Sequence, residues 1–230
     1  MNSISGVFDC THTGLESTVS DAYFDVMPAR KLPLSQSGDL FERPAVVGPP
    51  GFRYGAELFS TVAEAEFVAR FEALPFKPFE FHGYQGNRRI VSYGYRYDYA
   101  GRTLRASDAM PAFLSPLREV ASRFSGIAAD KLEQALVTEY APGAGIGWHR
   151  DKPMFEDVVA LSFLAPCALR LRLKDGEKWK RHAVQIAPRS GYLLRGAVRT
   201  DWEHSITPME TLRYSVTFRS FRAGNPVRLA

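Results

Sequence analysis

Apolar positions along the chain follow two regimes. Between residues 60 and 124 they recur at helical spacing in two segments, and from residue 132 onward they alternate or cluster in short runs broken by Gly, Pro and Asp. In "STVAEAEFVARFEALPF", Phe67, Phe71 and Leu74 share a helical face, Thr61 and Glu64 fit a capping box, and Pro75 ends the run. In "SPLREVASRF", Ser115 is placed to cap, Pro116 suits the first helical position, and Leu117, Val120, Ala121 and Phe124 share a face. The later runs "LEQALVTEYA", "DVVALSFLA", "ALRLRLK", "HAVQIA", "GYLLRG" and "TLRYSVTFRSF" read as strands. Short strands with frequent turns, and helices confined to the N-terminal half, predict an α+β fold on a β-sandwich or barrel.

Residues 1–50 mix Ser, Thr, Asp and Pro without periodicity and end in "ERPAVVGPPG", so they are expected to form an arm or poorly ordered tail before a domain at 51–230. At 230 residues a single domain with a short extension is the default. No run approaches the roughly 18 apolar residues of a membrane span, and "MNSISGVFDCTHTG" lacks the pattern of a signal peptide. The two cysteines, Cys10 in the tail and Cys167 in an apolar strand, make a disulfide framework implausible, which suits the cytoplasm. A net charge of +4 leans toward polyanionic partners without specifying one.

Chemistry concentrates at "GIGWHRDKP". If "GWHRD" runs extended, His149 and Asp151 project to one side, because side chains alternate with period two. A third ligand has to come from elsewhere, and "TDWEHSI" offers His204. Two histidines and a carboxylate suit a non-haem Fe(II) oxygenase, and three ligands plus water suit a zinc hydrolase; the triad alone does not choose. In "RYSVTFRS", Arg213, Ser215, Thr217 and Arg219 fall on one face of a strand while Tyr214, Val216 and Phe218 fall on the other. Two guanidiniums on a half-buried face call for an anion, either a dicarboxylate cosubstrate or internal acids such as Glu139 or Glu210. Tyr140 stands ready to add a hydroxyl to the same carboxylate.

Upstream, "FHGYQGNRRIVSYGYRYDYAGR" interleaves tyrosines with arginines, the mixture that single-stranded nucleic acid binding calls for. Tyr84, Gln85, Arg88, Arg89 and Tyr95 are the candidate substrate contacts there, with Trp148 beside the first histidine as a packing or contact residue. Alternating tyrosines also serve as core on one face of a strand. His182 reads as a strand residue without chemistry, and Lys174, Lys178, Lys180 and Arg181 around Asp175-Gly176 read first as a solvated hairpin turn and second as a contact for phosphates.

Taken as a set, "TEYAPGAGIGWHRD", "WEHSI" and "RYSVTFRS" resemble the AlkB family of iron(II)- and 2-oxoglutarate-dependent dioxygenases in their order, in the step from Tyr140 to His149, and in the closing R-Y-x-x-T-F-R. The resemblance implies a double-stranded β-helix (jelly-roll) core over about residues 132–220, with a substrate-recognition lid over about 80–112. It further implies His149, Asp151 and His204 as iron ligands, Arg213 as partner of the distal 2-oxoglutarate carboxylate, Arg219 as a second arginine near the metal side, and Tyr140 as a cosubstrate donor. Thr138 and Ser215 stand where asparagine is usual in the best-known members. The expected activity is oxidative demethylation of N-alkylated bases in DNA or RNA, preferably single-stranded, by a monomer using Fe(II), 2-oxoglutarate and O2 and releasing formaldehyde, succinate and CO2. The same resemblance leaves room for a tRNA-modifying enzyme, a protein or small-molecule hydroxylase, or a non-catalytic reader of modified nucleic acid.

Overall fold

The computed structural model describes residues 48–81, 84–98, 101 and 103–223, without the side chains of Phe81, Tyr84 and Gln85. The expected arm at 1–50 therefore lies almost wholly outside the described residues. In chain order the elements are β1 (Phe52–Gly55), α1 (Thr61–Glu72), β2 (Lys77–Phe81), β3 (Tyr84–Tyr93), β4 (Tyr95–Asp98), β5 (Thr103–Ala106), α2 (Ser115–Ser125), β6 (Gln134–Tyr140), β7 (Ile146–His149), β8 (Phe155–Phe163), β9 (Cys167–Asp175), β10 (Lys178–Ile186), β11 (Gly191–Leu194), α3 (Ala197–Thr200), β12 (Glu203–Ile206) and β13 (Arg213–Phe221). Among these residues no helix is long and apolar enough to cross a membrane.

The strands form a major sheet in the order β1-β11-β8-β13-β6-β3-β2, a minor sheet in the order β10-β9-β12-β7, and the separate hairpin β4-β5. This is the expected jelly-roll, an α+β fold with the two sheets facing each other. Alternation sorts every strand of the major sheet between two cores. One face sends Val137, Val159, Leu161, Phe163, Tyr214, Val216 and Phe218 against Phe67, Phe71, Leu117, Val120 and Ala121 of the helices. The other sends Tyr140, Val158, Ala160, Tyr192 and Leu194 toward Leu169, Leu171, Val184, Ile186 and Ile206 of the minor sheet. Phe71 has no exposed surface and stands edge-on to Phe163 at 5.0 Å; burying such a ring contributes roughly 1.5–3 kcal/mol.

Three local expectations are corrected. The cap of α1 is Ser60, whose hydroxyl accepts from the amide of Ala63. Glu64 leaves the helix end altogether, accepting from the amide of Leu164 and pairing with Arg189, so its carboxylate ties α1 to the major sheet. At α2 a 3-10 turn over Ala112–Leu114 runs straight into the helix, which places Ser115 inside it and leaves the cap, Leu114, without a side-chain bond. Helices are not confined to the N-terminal half either, because the single turn α3 follows β11. The hairpin expected around Asp175-Gly176 is present: Asp175 pairs with Lys178 across a two-residue turn in which Gly176 has φ 58, the left-handed conformation that such turns require.

Candidate functional site

The minor sheet supplies the histidines. β12 pairs with β7 so that His204 lies directly opposite His149, with ring centroids 4.2 Å apart. β7 stops at His149, so Asp151 reaches the same place from the loop that follows, and its Oδ2 stands 3.6 Å from Nε2 of His204. The glycine-rich approach has a steric reason: a Cβ on Gly145 would come within 2.8 Å of the carbonyl of Ile206, so only glycine lets β7 lie this close to β12.

Electrostatics fix the protonation states. Burial works to raise the Asp151 carboxyl, but Arg219, then His204, His149 and Arg199, outweigh it and hold the group well below the usual carboxylate range. His204 is pushed down to about 3 by burial and by the neighbouring His149, against the attraction of Asp151. The His204–Asp151 contact is thus a neutral imidazole beside a carboxylate, not a charge pair. His149 donates from Nδ1 to the carbonyl of Gly147 at 2.9 Å, so Nε2 is the ring nitrogen left to face a ligand. Two imidazoles and one carboxylate are the donor set a first-row metal takes. Among the described residues no such trio has its donor atoms already drawn to a common point; these three are neighbours on one side of the minor sheet.

The major sheet faces them with cations. On β13, Arg213, Ser215 and Thr217 pair with Tyr140, Thr138 and Leu136 of β6, so the face expected from alternation is the face observed. Arg219 donates to Asp151 Oδ1 from Nε at 3.2 Å and from Nη2 at 3.0 Å, and to Gln134 Oε1 from Nη1 at 2.8 Å. Arg213 is fully buried, donates from Nε to Ser162 Oγ at 3.1 Å, and stacks its guanidinium 5.0 Å from the centre of the Tyr140 ring. Its Nη1 and Nη2 are buried without a hydrogen-bond partner. The internal acids expected as partners are elsewhere: Glu139 takes a two-pronged bond from Arg89, at 2.7 and 2.8 Å, on the opposite face of the sheet, and Glu210 is exposed. A buried guanidinium whose fork is unmet fits a carboxylate ligand.

The expected substrate contacts divide. Arg88 lies in register with Tyr140, itself opposite Arg213, and its guanidinium covers the Phe79 ring at 3.7 Å. Arg89 is a correction: one residue on, it points to the helix-covered face and is held by Glu139, which also accepts from the Tyr214 hydroxyl at 3.2 Å. Tyr95 stands edge-on to Phe221 at 4.8 Å, and on the same strand the Tyr97 ring lies 4.5 Å from Nζ of Lys152, next to Asp151. The β4-β5 hairpin thus flanks the loop carrying the carboxylate. Tyr84 and Gln85 are on β3, but their side chains lie outside the described residues. Trp148 is a second correction, since the strand turns it away from the histidine face and onto Arg170 and Arg172.

Three residues of the site escaped the sequence reading. Gln134 was within reach, sharing the period-two face of Thr138 and Tyr140. Ser162, which holds Arg213, sits in the apolar end of β8, where a lone serine gave no signal. Arg199, buried in the single turn α3, donates to the carbonyls of Lys152 and Phe155 and so pins the Asp151 loop; a four-residue helix has no periodicity to read.

The comparisons with known proteins bear on this arrangement. Residues 56–219 match the model of the 2OG-Fe(II) oxygenase superfamily. The alkylated DNA repair protein ALKBH8 homolog of Arabidopsis thaliana is 32% identical over 143 residues, covering 52% of this chain and 41% of that protein. The mouse tRNA (carboxymethyluridine(34)-5-O)-methyltransferase ALKBH8 is 28% identical over 143 residues, covering 58% and 21%. The chain thus spans less than half the length of these relatives. Among solved structures, OsALKBH1 superposes with a TM-score of 0.58 at 16% identity, covering 77% of this chain and all of that one. An oxidoreductase of the 2OG-Fe(II) oxygenase family from Burkholderia pseudomallei gives 0.53 at 14%, covering 77% and 88%. With a match over most of its length, AlkB homologues among its relatives and a donor set that suits Fe(II) beside an unanswered guanidinium, the chain belongs to the 2OG-Fe(II) oxygenase superfamily, whose members are oxidoreductases using Fe(II), 2-oxoglutarate and O2.

Proposed function

We propose that the chain carries out oxidative dealkylation of N-alkylated bases in DNA or RNA, with His149, Asp151 and His204 holding Fe(II) and Arg213 receiving the distal carboxylate of 2-oxoglutarate. The observation that carries this reading is the pairing of an unmet buried guanidinium on one sheet with two neighbouring imidazoles and a carboxylate on the other. When bound, the iron and its cosubstrate supply the oxidant, releasing CO2 and succinate. The chain's own residues need no nucleophile or general base; their work is placement.

Arg219 and Gln134 orient the Asp151 carboxylate, and Arg199 fixes the backbone just after it. The Nδ1 bond to Gly147 sets the tautomer of His149. Tyr140, Thr138 and Ser215 line the same face as Arg213 and offer hydroxyls to the cosubstrate, Thr138 and Ser215 in place of the amides usual in the family's best-known members. The β4-β5 hairpin and Arg88 are the parts of the lid expected to meet substrate. A base within a duplex does not reach such a site, so it has to be flipped out or already single-stranded.

The names of the two ALKBH8 relatives point to alkylated DNA and to tRNA, and both belong in the test. Formaldehyde and succinate are measured on N-methylated single-stranded DNA, on the matching RNA and on a tRNA anticodon stem-loop, with Fe(II) and 2-oxoglutarate supplied. Formaldehyde tracking succinate on a methylated oligonucleotide is expected. Succinate alone, at the same rate with and without nucleic acid, overturns the substrate assignment.

A further inference from the structure

The face of the minor sheet turned away from the metal-binding residues carries a pattern that the oxygenase chemistry does not use. Alternation sends Leu169 and Leu171 of β9 into the core and leaves Arg170, Arg172 and Lys174 outside. Register then sets Trp179 beside Lys174 and Arg181 beside Arg172 on β10, while Glu203 and Ser205 of β12 oppose Arg172 and Arg170. Trp148 completes the row on β7. The Arg172 guanidinium lies between two indoles, 4.3 Å from the ring centre of Trp148 and 4.3 Å from that of Trp179; Arg170 stands 5.1 Å from Trp148 and Lys174 5.3 Å from Trp179.

Four cations on this face meet one carboxylate. Glu203 answers Arg172 at 2.6 Å, and Arg170 bonds only a neutral hydroxyl, Ser205 Oγ, at 3.0 Å. Among the described residues no acid pairs with Arg170, Lys174 or Arg181, and Arg181 lies directly across from Arg172, a like-charge juxtaposition that an intervening anion relieves. Both tryptophans are only part-buried, while Lys174 and Arg181 are exposed.

We infer that this outer face of the minor sheet is a docking surface for single-stranded nucleic acid, Trp148 and Trp179 stacking bases and Arg170, Lys174 and Arg181 meeting phosphates. Rings interleaved with unanswered cations on an open sheet are the requirements of sequence-tolerant strand binding. An acidic peptide would satisfy the charges and leave the indoles idle. The geometry connects the surface to the site. Trp148 is on the edge strand, and the next residue, His149, projects through to the other face. From β10 to β7 the row spans three strand spacings, about 14 Å, so a strand crossing it arrives at the sheet edge beside the histidines. This surface extends the proposed nucleic-acid substrate reading, rests on it, and predicts that longer strands are handled better than short ones.

The test uses the full chain, a fluorescent uridine 20-mer, and methylated substrates of three and twenty nucleotides. Replacing Lys174 and Arg181 together by Gln is expected to weaken 20-mer binding and to reduce the slope of log affinity against log salt by about 1.4, two phosphate contacts on a single strand. Trp179→Ala is expected to weaken binding about tenfold or more with the slope unchanged, as loss of one stack does. Both variants should raise KM for the methylated 20-mer and leave the trinucleotide untouched. Unchanged 20-mer binding in correctly folded variants, an equal loss for both substrates, or equal competition by poly-glutamate overturns the inference. If the wild type turns over methylated trinucleotide while these variants behave like it on the 20-mer, the surface fails alone. If the wild type binds the 20-mer through this face yet demethylates nothing, the surface stands and the dealkylation reading falls.

Discussion

Arg213 offers the sharpest test of the site, because replacing it by methionine should move two quantities in opposite directions. In the protein alone the guanidinium is fully buried, has one hydrogen bond, to Ser162, and leaves Nη1 and Nη2 unpartnered. Burying a charge costs several kcal/mol per ion even after relaxation, and exchanging buried ionic groups for apolar ones of similar volume is neutral or stabilising by about 1–4 kcal/mol. Arg213→Met should therefore leave the melting temperature unchanged or raise it, at about 2–4 °C per kcal/mol for a domain of this size. Its effect on 2-oxoglutarate is the reverse: truncating one member of a buried charge pair costs about 2–5 kcal/mol, a loss of affinity of roughly 30- to several thousand-fold.

Thermal unfolding with redox-inert Mn(II) in place of iron reads both. Wild type titrated to a hundred times its dissociation constant should gain about 2.7 kcal/mol, several degrees of melting temperature, whereas the variant's curve should start at least as high and gain no more than about 0.9 kcal/mol at the same concentration. A variant destabilised like a core deletion, or one that keeps the cosubstrate-induced rise, refutes the reasoning. The first result would make Arg213 a structural residue satisfied within the fold; the second would place the cosubstrate elsewhere.

Neighbouring arginines on β3 should separate cleanly: Arg88→Ala is expected to raise KM for a methylated oligonucleotide several-fold with little change in melting temperature. Arg89→Ala should leave KM alone and, since its ion pair with Glu139 is half exposed, cost no more than about 1 kcal/mol, read from denaturant midpoints. His149→Ala should abolish turnover and Mn(II)-dependent stabilisation while the metal-free protein unfolds at an unchanged midpoint. The Tyr214 phenol is pushed up to about 12 by burial and by the Glu139 carboxylate beside it. A raised pKa gives stability that is fully present below the unfolded value near 10 and is lost as pH rises toward 12; Tyr214→Phe should lose less between pH 9 and 11, and an unchanged slope counts against that environment.

Much of this was legible because period-two alternation is a local rule. The segment from Arg213 to Phe218 names its own two faces, and the register with β6 and β8 carries that division across the sheet. The rule failed where a side chain's side depends on a neighbour's register. Arg88 and Arg89 read alike as basic residues near aromatics, and only pairing with Tyr140 and Glu139 shows that one faces the site and the other the helices. Trp148 was left between packing and contact for the same reason: proximity to His149 in sequence is opposition across a strand, and the ring lies against Arg170 and Arg172. Helix caps slipped by one residue, since Ser60 and Thr61 both qualify chemically and the backbone decides between them.

The division also explains why the site needs both sheets. The donor set hangs on β7, β12 and the loop after β7, while the cations hang on β13, so no single element brings ligand and anion partner together. Their separation is set by what lies between: Leu169, Leu171, Val158, Ala160 and Ile186 pack the interior at near-complete burial, and stacked sheets stand about 10 Å apart. Across that spacing His149 and His204 sit on one sheet and the unpartnered fork of Arg213 on the other. Arg219 links the two, reaching from β13 to Asp151. That bond gives the carboxylate a fixed orientation before any metal arrives, and keeps its charge from collapsing onto His204. The apolar filling thus bears directly on the candidate site: packed between the sheets, it sets how far the histidines and Asp151 of one stand from the arginines of the other.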